Sequence, residues 1–414
     1  MNIISKSECQ LTVNSKLNIL TASSTNANIT NLLVNLSVAS SSGNITLINN
    51  INGVINIQGY QVLGSYVSTK TVAMIGININ AAATINQFSF KPSTFNVGNG
   101  SSYLFANASA SSFIINNIAI ILGNSFNYLL LSSISTTDAD NNYYYFGGII
   151  AFININSVVS INNVILDSFQ QLTTSYVCKS GFLVGFVQSN TNSITIKNIC
   201  LQQNTTSTTY QFYNFGLIGQ SSGNISIQNA FVIFSTQTTA FFCYYGIIGI
   251  QKSSSLYTEV INFSTSVSFS SSAGNQVGSI IGSDEANNCF VQNTSVVGGN
   301  ITSYSSSFIG GFIGSQSQYT TLKIQNSTIQ KMIISGSTAV GSFLGYCYKS
   351  QLSLVNSIVQ FVQLSGSDLI GIVVGLNSGG IYSFTGSQST SNFINDVSYK
   401  NCAVLSNTWS VAGC

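Results

Sequence analysis

Residues 310–327 read GGFIGSQSQYTTLKIQNS, and this stretch carries both markers of a repeat. The first marker is a glycine motif, in which two bulky apolar residues precede a closing glycine, here Gly314. The second is a run of alternating apolar and polar residues that ends in asparagine, here Asn326. Such alternation is typical of a β-strand with one buried face.

Copies of both markers recur with the same period. The closing glycines lie 30 to 34 residues apart and the asparagines 30 to 33 residues apart. The glycines are Gly185, Gly219, Gly249, Gly282, Gly314, Gly345 and Gly375. The asparagines are Asn198, Asn229, Asn262, Asn293, Asn326 and Asn356. Two independent markers with one period indicate a repeat of about 31 residues.

Weaker copies extend the repeat toward the N-terminus. We place them at Asn163, Asn117, Asn86, Asn49 and Asn14. The step from Asn117 to Asn163 is 46 residues, about half a repeat too long. The surplus matches the polar and aromatic segment 132–146. We interpret this segment as a loop inserted between two copies.

The repeat predicts a stacked β fold. Each copy has short alternating runs rich in Ile, Val, Phe and Thr, and no segment shows helical spacing with caps. A single copy cannot bury its apolar face, so neighbouring copies must stack. The predicted fold is all-β, a right-handed parallel β-helix (a β-solenoid) of about eleven coils. Three short strands form each coil: the glycine motif, the run ending in Asn and the apolar segment after it.

The repeat also predicts the domain organisation. Residues 1–414 are expected to form a single β-solenoid, although the length alone suggests two or three domains. We expect degenerate coils over 1–131, the inserted loop over 132–146, regular coils over 147–386 and a last coil or cap over 387–414. The most apolar region, 113–131, is interrupted by asparagines and fails as a membrane-spanning helix.

The chain is nearly without charge. It has 11 basic side chains, all Lys, and 9 acidic ones, so charged residues are 5% of the chain, against about 25% in ordinary soluble proteins. Without His it has no imidazole base and no His-ligated zinc, and without Arg it has no guanidinium fork. The net charge of +2 is far from that of a nucleic-acid binder. These absences favour a binding or structural role, and we predict no nucleic-acid partner and no enzymatic activity.

The glycine motif resembles a known family. Segments 216–230 (GLIGQSSGNISIQNA), 310–327 and 373–386 (VVGLNSGGIYSFTG) are similar to the GLUG repeat of adhesin-like and IgA-peptidase-like surface proteins. The resemblance covers about residues 147–386, although each copy is longer than a typical GLUG repeat. It implies a secreted or cell-surface β-helical stalk of the pectin-lyase-like solenoid type. It implies no catalytic residue.

The acidic residues are the first candidates for a site. The nine are Glu8, Asp138, Asp140, Asp167, Glu259, Asp284, Glu285, Asp368 and Asp396. Enzymes that cleave polysaccharides use paired carboxylates, and only Asp138/Asp140 and Asp284/Glu285 are close in sequence. The second pair falls just after a closing glycine, so we interpret it as solvated turn acids.

A calcium loop is also disfavoured. The segment that starts at Asp138 has oxygen ligands at its first, third and fifth positions, but Tyr143 stands where the loop needs Gly. Ile149 stands where the loop needs Glu. We therefore assign no catalytic, cofactor-binding or metal-binding residue and expect no cofactor.

Cysteines and aromatic residues complete the candidates. The eight cysteines are Cys9, Cys178, Cys200, Cys243, Cys289, Cys347, Cys402 and Cys414. They form no C-x-x-C motif, so we expect mostly buried thiols. Five tyrosines are candidates for outward aromatic residues that stack on sugars or a partner, although we favour packing between turns for them: Tyr143, Tyr144, Tyr145, Tyr244 and Tyr245.

The function predicted from these features is a non-enzymatic structural or adhesin-like β-helix that presents a polar binding face. We expect it to be a piece of a larger protein, located outside the cell or at the cell surface, with a cytoplasmic location as the alternative. The expected partner is a carbohydrate or a host or cell-surface protein. The alternative function is a carbohydrate-active β-helix enzyme, a polysaccharide lyase or glycoside hydrolase. Three carboxylates that converge in a groove would favour that alternative.

Overall fold

The described part of the chain consists of strands, turns and bends. The computed structural model describes residues 2–4, 10–12, 17–23, 26–41, 43–97, 101–109, 112–121, 127–130, 144–154, 156–167, 172–202, 210–238, 243–252, 255–271, 275–303, 308–317, 319–366, 369–390 and 393–394. These residues contain no helix, and every strand pairing described below is parallel. The all-β prediction is confirmed.

The strands are short and numerous, and they are numbered in chain order. Their bounds are β1 Asn2–Ile4, β2 Gln10–Thr12, β3 Leu17–Ser23, β4 Ala27–Ser41, β5 Ile45–Ile51, β6 Ile55–Ser68, β7 Val72–Ile79, β8 Ala83–Val97, β9 Phe105–Ala108, β10 Ser112–Ile121, β11 Asn127–Leu130, β12 Tyr144–Gly147, β13 Ile150–Ile153, β14 Val158–Asp167, β15 Leu172–Val187, β16 Ser193–Gln202, β17 Tyr210–Ser221, β18 Asn224–Thr238, β19 Cys243–Tyr245 and β20 Ile248–Gln251. The remainder are β21 Tyr257–Ser271, β22 Asn275–Gly278, β23 Ile281–Asp284, β24 Asn288–Gln292, β25 Ser295–Ser303, β26 Phe308–Gly310, β27 Ile313–Gln316, β28 Thr321–Gln325, β29 Thr328–Gln330, β30 Ile333–Gly336, β31 Ala339–Gly341, β32 Leu344–Tyr348, β33 Gln351–Val355, β34 Ile358–Gln360, β35 Gln363–Gly366, β36 Leu369–Gly371, β37 Val374–Ser378, β38 Ile381–Thr385, β39 Gln388–Thr390 and β40 Phe393–Ile394.

The chain forms two compact units, unit 1 (Met1–Phe212) and unit 2 (Tyr213–Cys414), and each is a parallel β-solenoid. In unit 1 the strands that carry the asparagine marker stack in the order β4, β6, β8, β10, β14, β16. In unit 2 the corresponding order is β18, β21, β24, β28, β33, β38. The β-solenoid is therefore confirmed, while its right hand stays a prediction.

The inward side chains of these strands form the core. In unit 2, Val260, Val291, Ile324 and Leu354 are register partners in successive coils, and each is fully buried. In unit 1 the core is more aromatic, and the rings of Phe90 and Tyr103 stack 4.3 Å apart. Burial of such side chains stabilises the fold by about 1.5 to 3 kcal/mol each. Stacking thus gives every copy the apolar contacts that it lacks alone.

The residue that ends each alternating run bends the chain. Asn117, Asn163 and Asn198 in unit 1 have φ angles of 55°, 56° and 56°. Asn262 and Asn293 in unit 2 have φ angles of 52° and 50°. Asparagine adopts this left-handed conformation more readily than most residues, so the marker has a local conformational cause.

The same asparagines form a hydrogen-bonded ladder along the stack. In unit 2 each Nδ2 donates to the Oδ1 of the preceding coil: Asn262 to Asn229 (3.0 Å), Asn293 to Asn262 (3.1 Å) and Asn326 to Asn293 (3.3 Å). Unit 1 has the same ladder from Asn198 to Asn163 (3.0 Å). Identical amides that stack at the strand spacing satisfy each other in this way.

We expect Asn293→Ala to lower the free energy of unfolding by about 2 to 3 kcal/mol, because two ladder bonds are lost and alanine is strained at positive φ. Asn293→Gly loses the bonds without the strain, so its loss should be about 1 to 2 kcal/mol. Urea denaturation of the two variants measures the difference. A glycine variant as stable as the wild type would contradict the role of the ladder, and an alanine variant as stable as the glycine variant would contradict the strain at positive φ.

Of the weak N-terminal copies, Asn163 and Asn117 lie at the left-handed bend as predicted, whereas the copies at Asn86 and Asn49 do not. The left-handed positions there are Asn31, Gly59 and Gln87, so the predictions for Asn86 and Asn49 are wrong. Asn86 lies one residue before the left-handed position, which Gln87 occupies. Asn49 belongs to β5, which pairs with β7. The cause is a shorter coil, since Asn56 stacks on Asn28 only 28 residues earlier. Asn14 lies outside the described residues.

The glycine motif is a corner between two strands, which corrects its assignment to one strand. In the copy at 278–282 the chain bends at Ser279 and Ile280, between β22 and β23. A Cβ on Gly314 would lie 2.4 Å from the backbone nitrogen of Val277 and 2.5 Å from the carbonyl oxygen of Gly282. Glycine is required here because the backbones of neighbouring coils nearly touch.

Coil length varies along the chain, so the number of turns differs slightly from the eleven expected. Asn163 donates to Asn117 across 46 residues, as the inserted segment requires. Residues 132–143 of that segment lie outside the described residues. At the C-terminal end, β39 and β40 continue the last coil by pairing with β34 and β35. Residues 395–414 lie outside the described residues.

Candidate binding face

The structure describes the side chains of three of the nine acids: Glu259, Asp284 and Glu285. Asp167 ends β14, but nothing further is described of its side chain. Five of the acids, Glu8, Asp138, Asp140, Asp368 and Asp396, lie outside the described residues. The proposed calcium-like loop that starts at Asp138 therefore lies largely outside them as well.

Asp284 is fully buried, so its interpretation as a solvated turn acid is wrong. It is the last residue of β23, two residues after the closing Gly282, and points to the same side as that glycine. Its register partners are Gln251 in the coil before and Gln316 in the coil after, and both are also fully buried. Unit 2 thus contains an inward-facing polar column at this position.

Few groups stabilise the charge of Asp284. Its Oδ1 accepts a hydrogen bond from the backbone N–H of Ala286 at 3.2 Å, whereas its Oδ2 has no hydrogen-bond partner. The pKa of Asp284 is raised to about 7, mainly by burial and to a smaller extent by the nearby Glu285, against hydrogen bonds from Ala286 and Cys289 that lower it. Near pH 7 a large fraction of this carboxyl is therefore protonated.

The other two described acids are engaged elsewhere. Glu285 pairs with Lys252, with Nζ and Oε1 3.5 Å apart. Glu259 accepts a hydrogen bond from the Ser226 hydroxyl at 2.8 Å. Within the described part of the chain, no three His, Cys, Asp or Glu side chains form a group that could hold a metal ion. The enzymatic alternative predicts a groove in which three carboxylates converge. These three acids do not form such a groove, because Asp284 is buried in the core.

The described cysteines are unpaired. Cys289 and Cys347 are buried, as expected, whereas Cys200 on β16 is exposed. Burial raises the pKa of the Cys289 thiol, and the Asp284 carboxyl adds to this effect. The side chains of the other five cysteines are not among those described.

We expect the Cys200 thiol to react with iodoacetamide in the folded protein, because exposure and thiolate formation control this reaction. Cys289 and Cys347 should react only after unfolding. Peptide mapping by mass spectrometry after labelling in buffer and in urea tests this directly. Equal labelling of Cys289 in both conditions would contradict the buried position.

Of the tyrosines named from the sequence, only Tyr244 and Tyr245 have described side chains, and neither is fully exposed. Tyr245 is buried, with 1% of its surface exposed, so it is not available to stack on a partner and packs inside the protein, as the favoured interpretation has it. Its ring packs against Phe269, with centroids 4.0 Å apart. Tyr244 is half-buried. Tyr143 lies outside the described residues, and the side chains of Tyr144 and Tyr145 are not described.

Exposed aromatic residues occur instead at a corner of unit 2. We call this surface the corner row; it comprises Leu256, Tyr257, Asn287, Asn288, Tyr319 and Lys349. Tyr257 is 42% exposed, Tyr319 76% and Leu256 58%. All six residues lie at or just before the start of β21, β24, β28 or β33, where the chain turns onto the strand that ends in asparagine.

The backbone of the corner row is fixed by hydrogen bonds between coils. The N–H groups of Leu256 and Tyr257 both donate to Asn224 Oδ1, at 2.9 and 3.2 Å. The N–H of Tyr319 donates to the carbonyl of Lys349 at 3.1 Å. Asn288 Nδ2 donates to the carbonyl of Leu256 at 3.3 Å. The exposed rings are therefore carried on an ordered turn.

A short sequence signal marks this row. In two copies a tyrosine precedes the threonine that leads into the alternating run, in Tyr257-Thr258 and Tyr319-Thr320. Both threonines are buried, which leaves the tyrosine before each of them at the surface.

The comparisons with known proteins do not assign this chain to a family. No family model matches the chain, and no curated protein and no solved structure matches it. The structure contains the β-solenoid that the GLUG resemblance implies. No family match supports the assignment to GLUG-repeat or adhesin proteins. Among the described residues no helix is long and apolar enough to cross a membrane.

Proposed function

We propose that this chain is a non-enzymatic structural or adhesin-like β-solenoid that binds a partner through its polar outer surface. The observation that carries the proposal is the uncharged outer face, whose amides bond from coil to coil. Such ladders hold polar groups in fixed, repeated positions, so binding costs little conformational entropy. Acid–base chemistry finds little support, because the described acids are buried or engaged apart from one another.

The proposal includes a location outside the cell or at the cell surface and a partner that is a carbohydrate or a cell-surface protein. The composition supports this, since neutral polar side chains suit recognition of hydroxyl and amide groups. The resemblance of the glycine motif to repeats of surface proteins supports it as well. Antibody staining of intact and permeabilised source cells tests the location: staining of intact cells is expected, and staining only after permeabilisation would contradict it.

One experiment separates the binding role from the enzymatic alternative. The full chain is incubated with insoluble cell-wall polysaccharide and with extracellular-matrix protein, and both sedimentation and product release are measured. We expect co-sedimentation with at least one of them, with no reducing ends and no unsaturated uronides released. Release of either product in proportion to protein concentration would favour the glycoside hydrolase or lyase alternative. Absence of both binding and product would contradict the proposal.

A further inference from the structure

We infer that the corner row is a binding site for a neutral polysaccharide chain that lies along the coil axis of unit 2. This inference rests on the proposed function and specifies its site and its partner. It assigns sugar-stacking roles to Tyr257 and Tyr319, and hydrogen-bonding roles to the exposed amides of Asn287 and Asn288.

The two tyrosines are spaced for every second sugar of an extended chain. Tyr257 pairs with Asn288, and Asn288 pairs with Thr321, two residues after Tyr319. The two rings therefore belong to coils two steps apart, about 10 Å along the axis at the strand spacing of about 4.8 Å. A flat aromatic ring packs well against the C–H face of a sugar ring, and its hydroxyl remains in water. Two such platforms suit an extended chain better than a single sugar.

The groups between the tyrosines are amides rather than charges. Asn287 and Asn288 lie in the intermediate coil and are both exposed. Each amide offers donors and an acceptor, the combination that sugar hydroxyls require. Polar groups in small number beside apolar contacts are typical of ligand sites.

The charges near the row do not favour an acidic polymer. Lys252 is neutralised by Glu285 at 3.5 Å. Lys349, whose Nζ lies 5.3 Å from the centre of the Tyr348 ring, is the one cation among the six residues of the row, and the exposed Lys323 on β28 lies over the Phe290 ring at 5.6 Å. A polyanion normally needs several cations, since each contributes separately to its binding. A neutral glycan therefore fits this surface better.

The site is also organised before binding. The hydrogen bonds of Asn224 to the Leu256–Tyr257 backbone, and of Tyr319 to Lys349, fix the turns that carry both rings. A tyrosine has only two side-chain torsions, so little further freedom is lost when it stacks on a ligand.

Affinity electrophoresis of the full chain tests the inference, with hydroxyethyl cellulose, galactomannan and soluble starch as neutral probes and polygalacturonate as the acidic one. We expect retardation by at least one neutral probe. Tyr257→Ala and Tyr319→Ala should each weaken that binding at least about tenfold, and Tyr257→Phe, which keeps the ring, should bind nearly as well as the wild type.

Phe361→Ala is the matched control. Phe361 is 55% exposed and, like Tyr319, has a positive φ, 54° against 63°, but it lies at a different corner, between β34 and β35. Its variant carries the same backbone strain and should bind like the wild type. Thermal unfolding of every variant confirms that it is folded.

Three outcomes would overturn the inference. They are absence of binding to all neutral probes, binding to polygalacturonate alone, and neutral binding that survives loss of both tyrosines. In each case the proposed function stands if the chain still co-sediments with matrix protein or cell-wall material, so the two failures are distinguishable.

Discussion

Gly314→Ala is expected to destabilise unit 2 by more than about 3 kcal/mol. The added Cβ would lie 2.4 Å from the nitrogen of Val277 and 2.5 Å from the carbonyl oxygen of Gly282. Both atoms are backbone, so no flexible side chain can move aside. Relief of the clash requires that neighbouring coils separate at the glycine corner, with loss of the backbone hydrogen bonds between them. The urea midpoint, followed by circular dichroism, measures the effect.

Gly298→Ala provides the control for this prediction. Gly298 has a φ of 71°, but a Cβ there would meet only the Ser266 hydroxyl, at 3.8 Å. Its alanine variant carries backbone strain alone, a cost of about 1 to 2 kcal/mol. The difference between the two variants therefore isolates the close approach of the coils. If Gly298→Ala were the less stable of the two, the packing described for the glycine corner would be wrong.

The stability of unit 2 is expected to fall as pH rises from about 4 to about 7. Burial raises the pKa of Asp284 from 3.8 to about 7, so in this range the folded state binds a proton that the unfolded state has released. Stability falls with rising pH wherever the folded state holds more protons. A pKa shift of about three units corresponds to a loss of about 4 kcal/mol in the free energy of unfolding. The loss is complete once the pH exceeds the pKa of Asp284 in the folded state. Urea denaturation at pH 4 and pH 8 measures nearly all of it.

Asp284→Asn keeps the shape of the side chain and removes the titration. We expect this variant to lose most of the decrease in stability and to be more stable than the wild type at pH 8. Glu285→Gln, which alters the partially exposed neighbour that pairs with Lys252, should retain most of the decrease. Parallel pH profiles of wild type and Asp284→Asn would show that another group is responsible.

The regular coils could be predicted because the residues at both corners are constrained by the backbone. The left-handed bend favours asparagine, as at Asn262 and Asn293, and the close approach of coils demands glycine, as at Gly314. Where residues other than asparagine occupy the left-handed bend, the repeat is harder to recognise in the sequence. Gly59 and Gln87 occupy the bend in unit 1, and the coil there is 28 residues long, so extrapolation of the 31-residue period lost its phase.

The surroundings of single side chains were harder to predict. Asp284 follows a glycine and precedes Glu285, which suggested a solvated turn. The inward position is visible only when copies are aligned two residues after each closing glycine, where Gln251, Asp284, Gln316 and Cys347 are all buried. The exposure of Tyr257 and Tyr319 depends likewise on which way each turn leaves the stack, and local composition does not determine that direction.

The central claim is that residues about one repeat apart lie side by side in parallel register. Disulfide trapping of register partners tests it most directly, since Phe290 pairs with Lys323 and Lys323 with Ser353. The Cα atoms of partners lie about 4.8 Å apart, within the range of a disulfide. The variant with Phe290→Cys and Lys323→Cys should form the mapped cross-link on mild oxidation. The variant with Phe290→Cys and Ser353→Cys, two coils apart at about 10 Å, should not. A cross-link in the second variant but not in the first would contradict the stacked solenoid.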